Sequence, residues 1–376
     1  MKQYRISTTS LDFLRGIAAV YVVVNHTRGA FFRGGEKVIA EATTAHLGIY
    51  DYVALSLLQL TSLGTEFVIL FFCVSGVSMA HSISKSTNVT QFYAKRIIRI
   101  WPSYAAAVVL AGIACWVFTA ISPTNTFSKN CIATFCSARA IGEMLIYAKT
   151  STNLTPQFWS LPYEVIFYAF CPIILLTRRR VATVLVLSGI FSIVGGLVFG
   201  IGLNPSSSIF VNFLVCALFW FMCGAAAYHF IDRVPPLSPY TFYLVSVTAL
   251  AAVFCLKKMV GGSNAFSSLV MIMFAINCVR NIPPSLASMK ILNWGFFSYS
   301  IYIFHYIFIV AISFVLSTSY GIEKSDIHNY FAWLAAIPPI LLACWILYYC
   351  VEKHCNDFLS RLRSSKAIGN QLTAAP

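Results

Sequence analysis

Apolar residues run in blocks of roughly 18–25, separated by short polar stretches, which is the length an α-helix needs to cross about 30 Å of hydrocarbon. The runs are continuous rather than alternating, so they read as helices and not as strands of a barrel. The pattern predicts spans at Leu11–Phe32, Leu63–Ile83, Ile100–Ile121, Phe158–Leu176, Val181–Leu203, Ile209–Ile231, Tyr240–Leu256, Ala265–Val279, Ile291–Leu316 and Tyr330–Val351. Ile49–Leu60 reads as an extra amphipathic segment lying on the membrane surface. The longest connection, Ser122–Gln157, contains a short surface helix at Ala138–Tyr147, and loops of that length are more often functional than filler. The expected fold class is therefore all-α: a polytopic integral membrane bundle of about ten transmembrane helices. It forms one membrane domain over residues 1–360, followed by a short polar tail, 361–376, with no internal repeat and no nucleotide-binding glycine motif.

Composition supports this reading. The 376 residues are 59% hydrophobic and 10% charged, with mean hydropathy +0.77, whereas a soluble domain carries about 25% charged residues. A formal net charge of +14 in a soluble chain would point to nucleic acid. Here cationic loops that orient helices and meet anionic lipid explain it, and no nucleic-acid partner is expected. With the N-terminus inside, most Lys and Arg fall on cytoplasmic segments, among them the run Arg178–Arg180 and the basic C-terminal tail, so both termini are expected to be cytoplasmic. Lys2 and Arg5 before an apolar run resemble a signal peptide. However, Ile17–Val24 is followed by Asn25-His26-Thr27-Arg28 without a small-x-small cleavage pattern, so the segment reads as a retained span. Most of the twelve cysteines lie in apolar spans and act there as small hydrophobes. Cys131 and Cys136 sit in the long loop, where a disulfide and two free thiols are equally compatible with the sequence. No Cys/His cluster has the spacing of a metal site.

Ionisable groups inside hydrocarbon are expensive and each needs a reason. Asp12 and Arg15 open the first span and His26 lies toward its other end. Arg15 and His26 are almost three whole turns apart, so they share a helix face with an axial separation of about 16 Å. An anion-binding group at the inner mouth and a titratable base at depth suit a long substrate with a charged head and a reactive tail. The plainer reading is an Asp12–Arg15 helix-end pair and an interfacial histidine. In Phe92–Tyr104, Arg96 and Arg99 share one face. They make either a fork for phosphates or a positive-inside flank, with Pro102 placed in the first turn of the span that follows. In the fourth span, Ser160, Glu164 and Tyr168 form a polar stripe at i, i+4 and i+8. It suits orientation and charging of an imidazole, the alternative being a hydrogen-bonded helix contact. His305 lies in mid-span with Tyr302 on the same side, and a lone histidine there is most often a satisfied interhelical group. Glu66 opens a segment in which Ser75-Gly76 reads as a close-packing site.

The ordered segments LDFLRGIAAVYVVVNH, FFCVSG, RIIRIWPSY, FWSLPYEVIFY, SYSIYIFHY and YYCVEKH together resemble acyltransferase family 3, the bacterial membrane O-acyltransferases. The resemblance runs from Leu11 to His354. It implies about ten transmembrane helices in the bacterial cytoplasmic (inner) membrane and transfer of an acyl group, commonly acetyl from acetyl-CoA, onto a hydroxyl. The implied partners are acyl-CoA as donor substrate, a surface glycan or lipid-linked saccharide as acceptor, and the lipid bilayer. No permanently bound cofactor and no metal is implied. The family's Arg-x10-His pattern falls on Arg15 and His26, its Arg-x-x-Arg pattern on Arg96 and Arg99, and the carboxylate of its Trp-Ser-Leu motif on Glu164. Where family members often carry an Asp two residues before the Phe-Phe pair, this chain has Ile69, and the nearest acid, Glu66, lies about one turn earlier. On this reading His26 and Glu164 are catalytic, and Arg15, Arg96 and Arg99 bind the donor. Asp12, Glu66, Ser160, Tyr168 and His305 support them. The competing classes are a secondary transporter or flippase, which would show inverted repeats or paired broken helices, and a non-catalytic component of a polysaccharide export complex.

Overall fold

A computed structural model describes residues 7–32, 48–85, 88–125, 128–129, 135, 138–147, 152, 154–175, 177–199, 208–233, 235–260, 265–289, 294–321 and 330–361. Among the described residues the regular structure is helical throughout. The helices are α1 (Thr8–Phe31), α2 (Ile49–Leu60), α3 (Gly64–Ser84), α4 (Val89–Ile121), α5 (Ala138–Leu145), α6 (Leu161–Ile174) and α7 (Arg178–Phe199). They continue with α8 (Ile209–Arg233), α9 (Pro239–Val260), α10 (Ala265–Asn281), α11 (Ser298–Tyr320) and α12 (Tyr330–Arg361). Every span predicted from the hydrophobic pattern overlaps one of these helices over its described residues. The extra segment Ile49–Leu60 and the loop helix also form. The protein is an all-α polytopic membrane bundle.

Among the described residues, seven helical stretches are long and apolar enough to cross a membrane, with Ala265–Asn281 a shorter apolar helix. The difference from ten is instructive. α6 has 14 residues and is extended backward by the 3-10 turn Pro156–Ser160, while the apolar content of α1 is diluted by Asp12, Arg15, Asn25 and His26. The two helices that fall short besides α10 carry Asp12, Arg15 and His26, and Glu164 and Tyr168. Cys131, Cys136 and the tail beyond Arg361 lie outside the described residues.

The chain divides into two compact units, one of Met1–Thr87, Trp159–Tyr299 and Lys324–Trp333, the other of Asn88–Phe158, Ser300–Glu323 and Leu334–Pro376. The first is organised around α3, against which α1, α6, α8 and α10 pack. Its Ile69, Cys73, Val74 and Val77 are wholly buried. The α3–α8 crossing is close because Gly76 faces the Phe221 carbonyl and Gly224 faces the Cys73 carbonyl, and a Cβ at either would overlap the opposite backbone. Small residues let membrane helices approach where burial of apolar surface gives no driving force. Aromatic rings fill the flanks of the crossing: Phe72 stacks on Trp220 at 5.7 Å and Phe167 on Phe221 at 4.1 Å.

The second unit is built on α4. The Asn88 side chain accepts from the Thr90 amide at 2.8 Å, an N-cap that starts the helix eleven residues before the predicted span. Pro102 is therefore inside α4 and not in its first turn as the hydrophobic pattern implied. It leaves the Ile98 carbonyl without its in-helix donor. Within this unit α5 packs on α4, Phe118 stacks on Phe314 of α11 at 4.5 Å, and the π-helical turn Tyr348–Glu352 of α12 packs against α4.

Candidate active site

In the first unit, α1 turns its Arg15–His26 face inward. Ala18, Ala19 and Val22, which lie between the two along that face, are 0–1% exposed. The Arg15 guanidinium donates to Ser78 Oγ of α3 at 2.7 Å and to Asp12 Oδ1 at 3.3 Å. Its side chain is 17% exposed against 44% for Asp12, so the serine contact is the more enclosed one. Arg15 thus pairs with Asp12 at i−3, as the plainer reading expects, and also reaches across to α3. Ser78 hands its own proton to the Val74 carbonyl at 2.9 Å, which leaves its oxygen lone pairs toward the guanidinium.

Three residues before Ser78, on the same face of α3, Ser75 reaches α6. Its hydroxyl donates to Glu164 Oε1 at 3.4 Å and lies 3.3 Å from the Tyr168 hydroxyl. Tyr168 in turn donates to Glu164. The stripe seen in the sequence is therefore a real cluster in its Glu164–Tyr168 part. Ser160, 4% exposed, sits at the foot of α6, and its side chain does not cap the helix. Sequence reasoning took Ser75-Gly76 as a packing site alone. Gly76 does pack, but its neighbour is the polar link between α3 and α6.

His26 lies elsewhere along the bundle. Asn25, beside it, lies against Gly64 at the start of α3, and Gly64 is eleven residues, about 16 Å of helix, from Ser75. The hydrogen bonds of Glu164 go to Ser75 and Tyr168. The structure thus groups Glu164 with the Arg15 end of α1, and not with the imidazole that the sequence stripe was read as orienting. His26 is half-buried. The α1 residues beside it serve another purpose. Tyr21 donates to the Leu60 carbonyl at 2.6 Å, Asn25 to Thr61 at 2.7 Å and Arg28 to Leu58 at 3.1 Å. These carbonyls lie at the C-terminal end of α2, where residues at i, i+4 and i+7 of α1 meet them in a row, and the Leu58 carbonyl accepts from Thr61 as well. That spacing is visible in the sequence.

Glu66 is fully buried on the face of α3 opposite Ser75, and its carboxylate meets Lys257 Nζ of α9 at 2.8 Å. The same ammonium donates to the Ser62 carbonyl at 2.7 Å. Glu66 is thereby neutralised by a cation that the hydrophobic pattern had assigned to a loop.

Arg96, Arg99 and His305 belong to the second unit. Phe92, Arg96, Arg99 and Ser103 form one stripe of α4, with the Arg96 guanidinium over the Phe92 ring at 5.5 Å to its centroid. Both arginines are half-buried. Arg99 lies within electrostatic reach of Glu352, a carboxylate that is 1% exposed. Glu352 accepts from the Ser300 amide at 3.1 Å and from the Ser300 hydroxyl at 2.6 Å. It closes the first turn of α11, where amides lack in-helix partners. His305 is fully buried, and its Nδ1 meets the Ile301 carbonyl one turn earlier at 2.9 Å, as expected of a satisfied mid-helix histidine. Tyr302 donates to the Gln157 carbonyl at 2.9 Å and the Gln157 amide donates to Ile303 at 2.8 Å. Among the described residues no group of three His, Cys, Asp or Glu is arranged to hold a metal ion.

A family model described as an acyltransferase domain matches residues 8–349. An uncharacterized protein of Haemophilus influenzae is 30% identical over 121 residues, which cover 30% of this chain and 48% of that protein. Acyltransferase MdmB of Streptomyces mycarofaciens is 26% identical over 121 residues, or 32% of this chain and 31% of its own length. The matched stretch spans less than half the length of either relative. No solved structure gives a significant match.

Proposed function

The chain belongs to acyltransferase family 3, whose model it matches over residues 8–349, and from that premise we propose that it moves an acetyl group from acetyl-CoA to a hydroxyl of a surface glycan or lipid-linked saccharide at the bacterial inner membrane. The observation that supports this best is the inward face of α1, which carries a guanidinium already engaged with α3 at one end and an imidazole at the other. Had these groups faced lipid, they would be topology signals and nothing more.

Arg96 and Arg99 hold the donor's phosphates through charge-assisted hydrogen bonds, and Arg15, kept in place by Ser78, holds an anionic part of the donor at the cytoplasmic end of α1. His26 accepts the proton of the acceptor hydroxyl as its oxygen attacks the thioester carbonyl. The C–S bond breaks, a C–O bond forms, and the thiolate leaves and is protonated to CoA. Glu164 and Tyr168 act on the donor side, through Ser75, by fixing the stretch of α3 that presents Ser78 to Arg15. In the alternative order His26 attacks first and carries the acyl group before the hydroxyl takes it.

Purified protein given acetyl-CoA and a hydroxyl acceptor should release CoA, and His26→Ala should lose transfer by at least about 100-fold, the contribution typical of a general base, while remaining membrane-inserted and monodisperse. Transfer at the normal rate by that variant removes His26 from the chemistry. Acetyl label retained on the protein without acceptor, and absent from His26→Ala, assigns the second order of events.

A further inference from the structure

Ser103 lies on α4 one turn beyond Arg99 and on the same face as Arg96 and Arg99. It is fully buried, and among the described residues its hydroxyl has no hydrogen-bond partner. A buried hydroxyl left without a hydrogen bond is destabilising, so an orphan of this kind asks what fills it. The usual escape for a helical serine is the carbonyl four residues back. Ser78 takes that route on α3, bonding Val74, but Ser103 does not bond Arg99. The backbone here is also irregular, since Pro102 frees the Ile98 carbonyl. Among the described residues Arg99 makes no hydrogen bond or ion pair of its own. One face of α4 thus carries, in order, a cation that lies within electrostatic reach of Glu352 without hydrogen-bonding it and a hydroxyl with no partner among the described residues, about 6 Å apart along the axis.

We infer that Ser103 is a further acyl-donor-binding residue, its hydroxyl hydrogen-bonding the amide-bearing pantetheine arm of acyl-CoA where that arm passes Arg99. A guanidinium matches the phosphates, and the polar groups of the arm follow them at the distance that separates Arg99 from Ser103. The inference rests on the reading of Arg96 and Arg99 as the phosphate site.

Binding of two probes separates the possibilities: acetyl-CoA, which has phosphates and arm, and adenosine 3′,5′-bisphosphate, which has phosphates without the arm. Ser103→Ala should weaken acetyl-CoA about 5- to 10-fold, as loss of one hydrogen bond of roughly 1 kcal/mol or slightly more does, and leave the bisphosphate unchanged. Its thermal stability without ligand should be equal to or above that of the parent, because an unsatisfied polar atom has been removed. Ser103→Cys, of similar volume and a weaker donor, should fall between. Arg99→Ala should weaken both probes. Unchanged acetyl-CoA affinity in Ser103→Ala, with Arg99→Ala still weakening both probes, overturns the role of Ser103 alone. So does a lower melting temperature accompanied by equal loss of both probes. If Arg99→Ala binds both probes normally, the phosphate reading itself fails and this inference with it.

Discussion

At the scale of single residues, the buried polar groups sort by whether the chain itself satisfies them. Glu66 is fully enclosed and its charge is met by Lys257 at 2.8 Å. A pair of this kind is expensive to break from one side and cheap to remove as a unit, because a lone buried charge has no substitute for water. Lys257→Met should therefore destabilise the protein by about 3–5 kcal/mol, and Lys257→Met with Glu66→Leu should recover all but about 1 kcal/mol. Both are read from denaturation in detergent. Equal losses in the single and double variants would refute the pairing. Arg15 illustrates how far a sequence carries: its spacing from His26 sets a shared face, and its spacing from Asp12 sets the local pair, and both hold. Ser78 was not legible, since nothing in the pattern of α3 says which of its serines meets the guanidinium. The role of Glu352 is not legible in the sequence, because a carboxylate near the end of a span reads as solvated until a helix from elsewhere places Ser300 over it.

At the scale of elements, helix spacing decides which groups meet. The Gly76–Gly224 crossing fixes α3 against α8, and through α3 it sets the positions of Ser75 and Ser78. Gly224→Ala would drive a methyl into the Cys73 carbonyl, and it should destabilise by at least about 2 kcal/mol as overpacking and raise the acetyl-CoA KM by moving Ser78 from Arg15. Gly112→Ala in α4 meets nothing within 4 Å and should be neutral or stabilising by up to about 1 kcal/mol, as alanine is a better helix former. Comparable effects of the two substitutions on melting temperature and KM would show that the crossing is not what holds the site. The position of Glu164 belongs to this scale as well. The i, i+4, i+8 stripe leaves an imidazole and a facing helix both open as partners, and in the structure its Glu164 and Tyr168 meet Ser75 of α3. Periodicity gives the face of a helix, while the partner on the facing helix depends on axial register.

At the scale of the whole molecule, the excess of Lys and Arg on alternate connections predicts an orientation, with both termini in the cytoplasm. A C-terminal alkaline phosphatase fusion should then be inactive and a C-terminal green fluorescent protein fusion bright, with the reverse for fusions within residues 122–157. An active phosphatase at the C-terminus would invert the assignment of the donor side. The sequence by itself determined the all-α membrane class, where along the chain the apolar spans fall and the face each polar residue occupies. These follow from local quantities: the length of an apolar run, the period of a helix and the cost of charge in hydrocarbon. The tertiary structure decided what each face meets: Ser78 for Arg15, Ser75 for Glu164, Lys257 for Glu66 and Ser300 for Glu352. Those pairings join residues between 52 and 191 positions apart. Their geometry is set by how closely two backbones approach and by where along their axes they cross, and no local pattern contains either quantity.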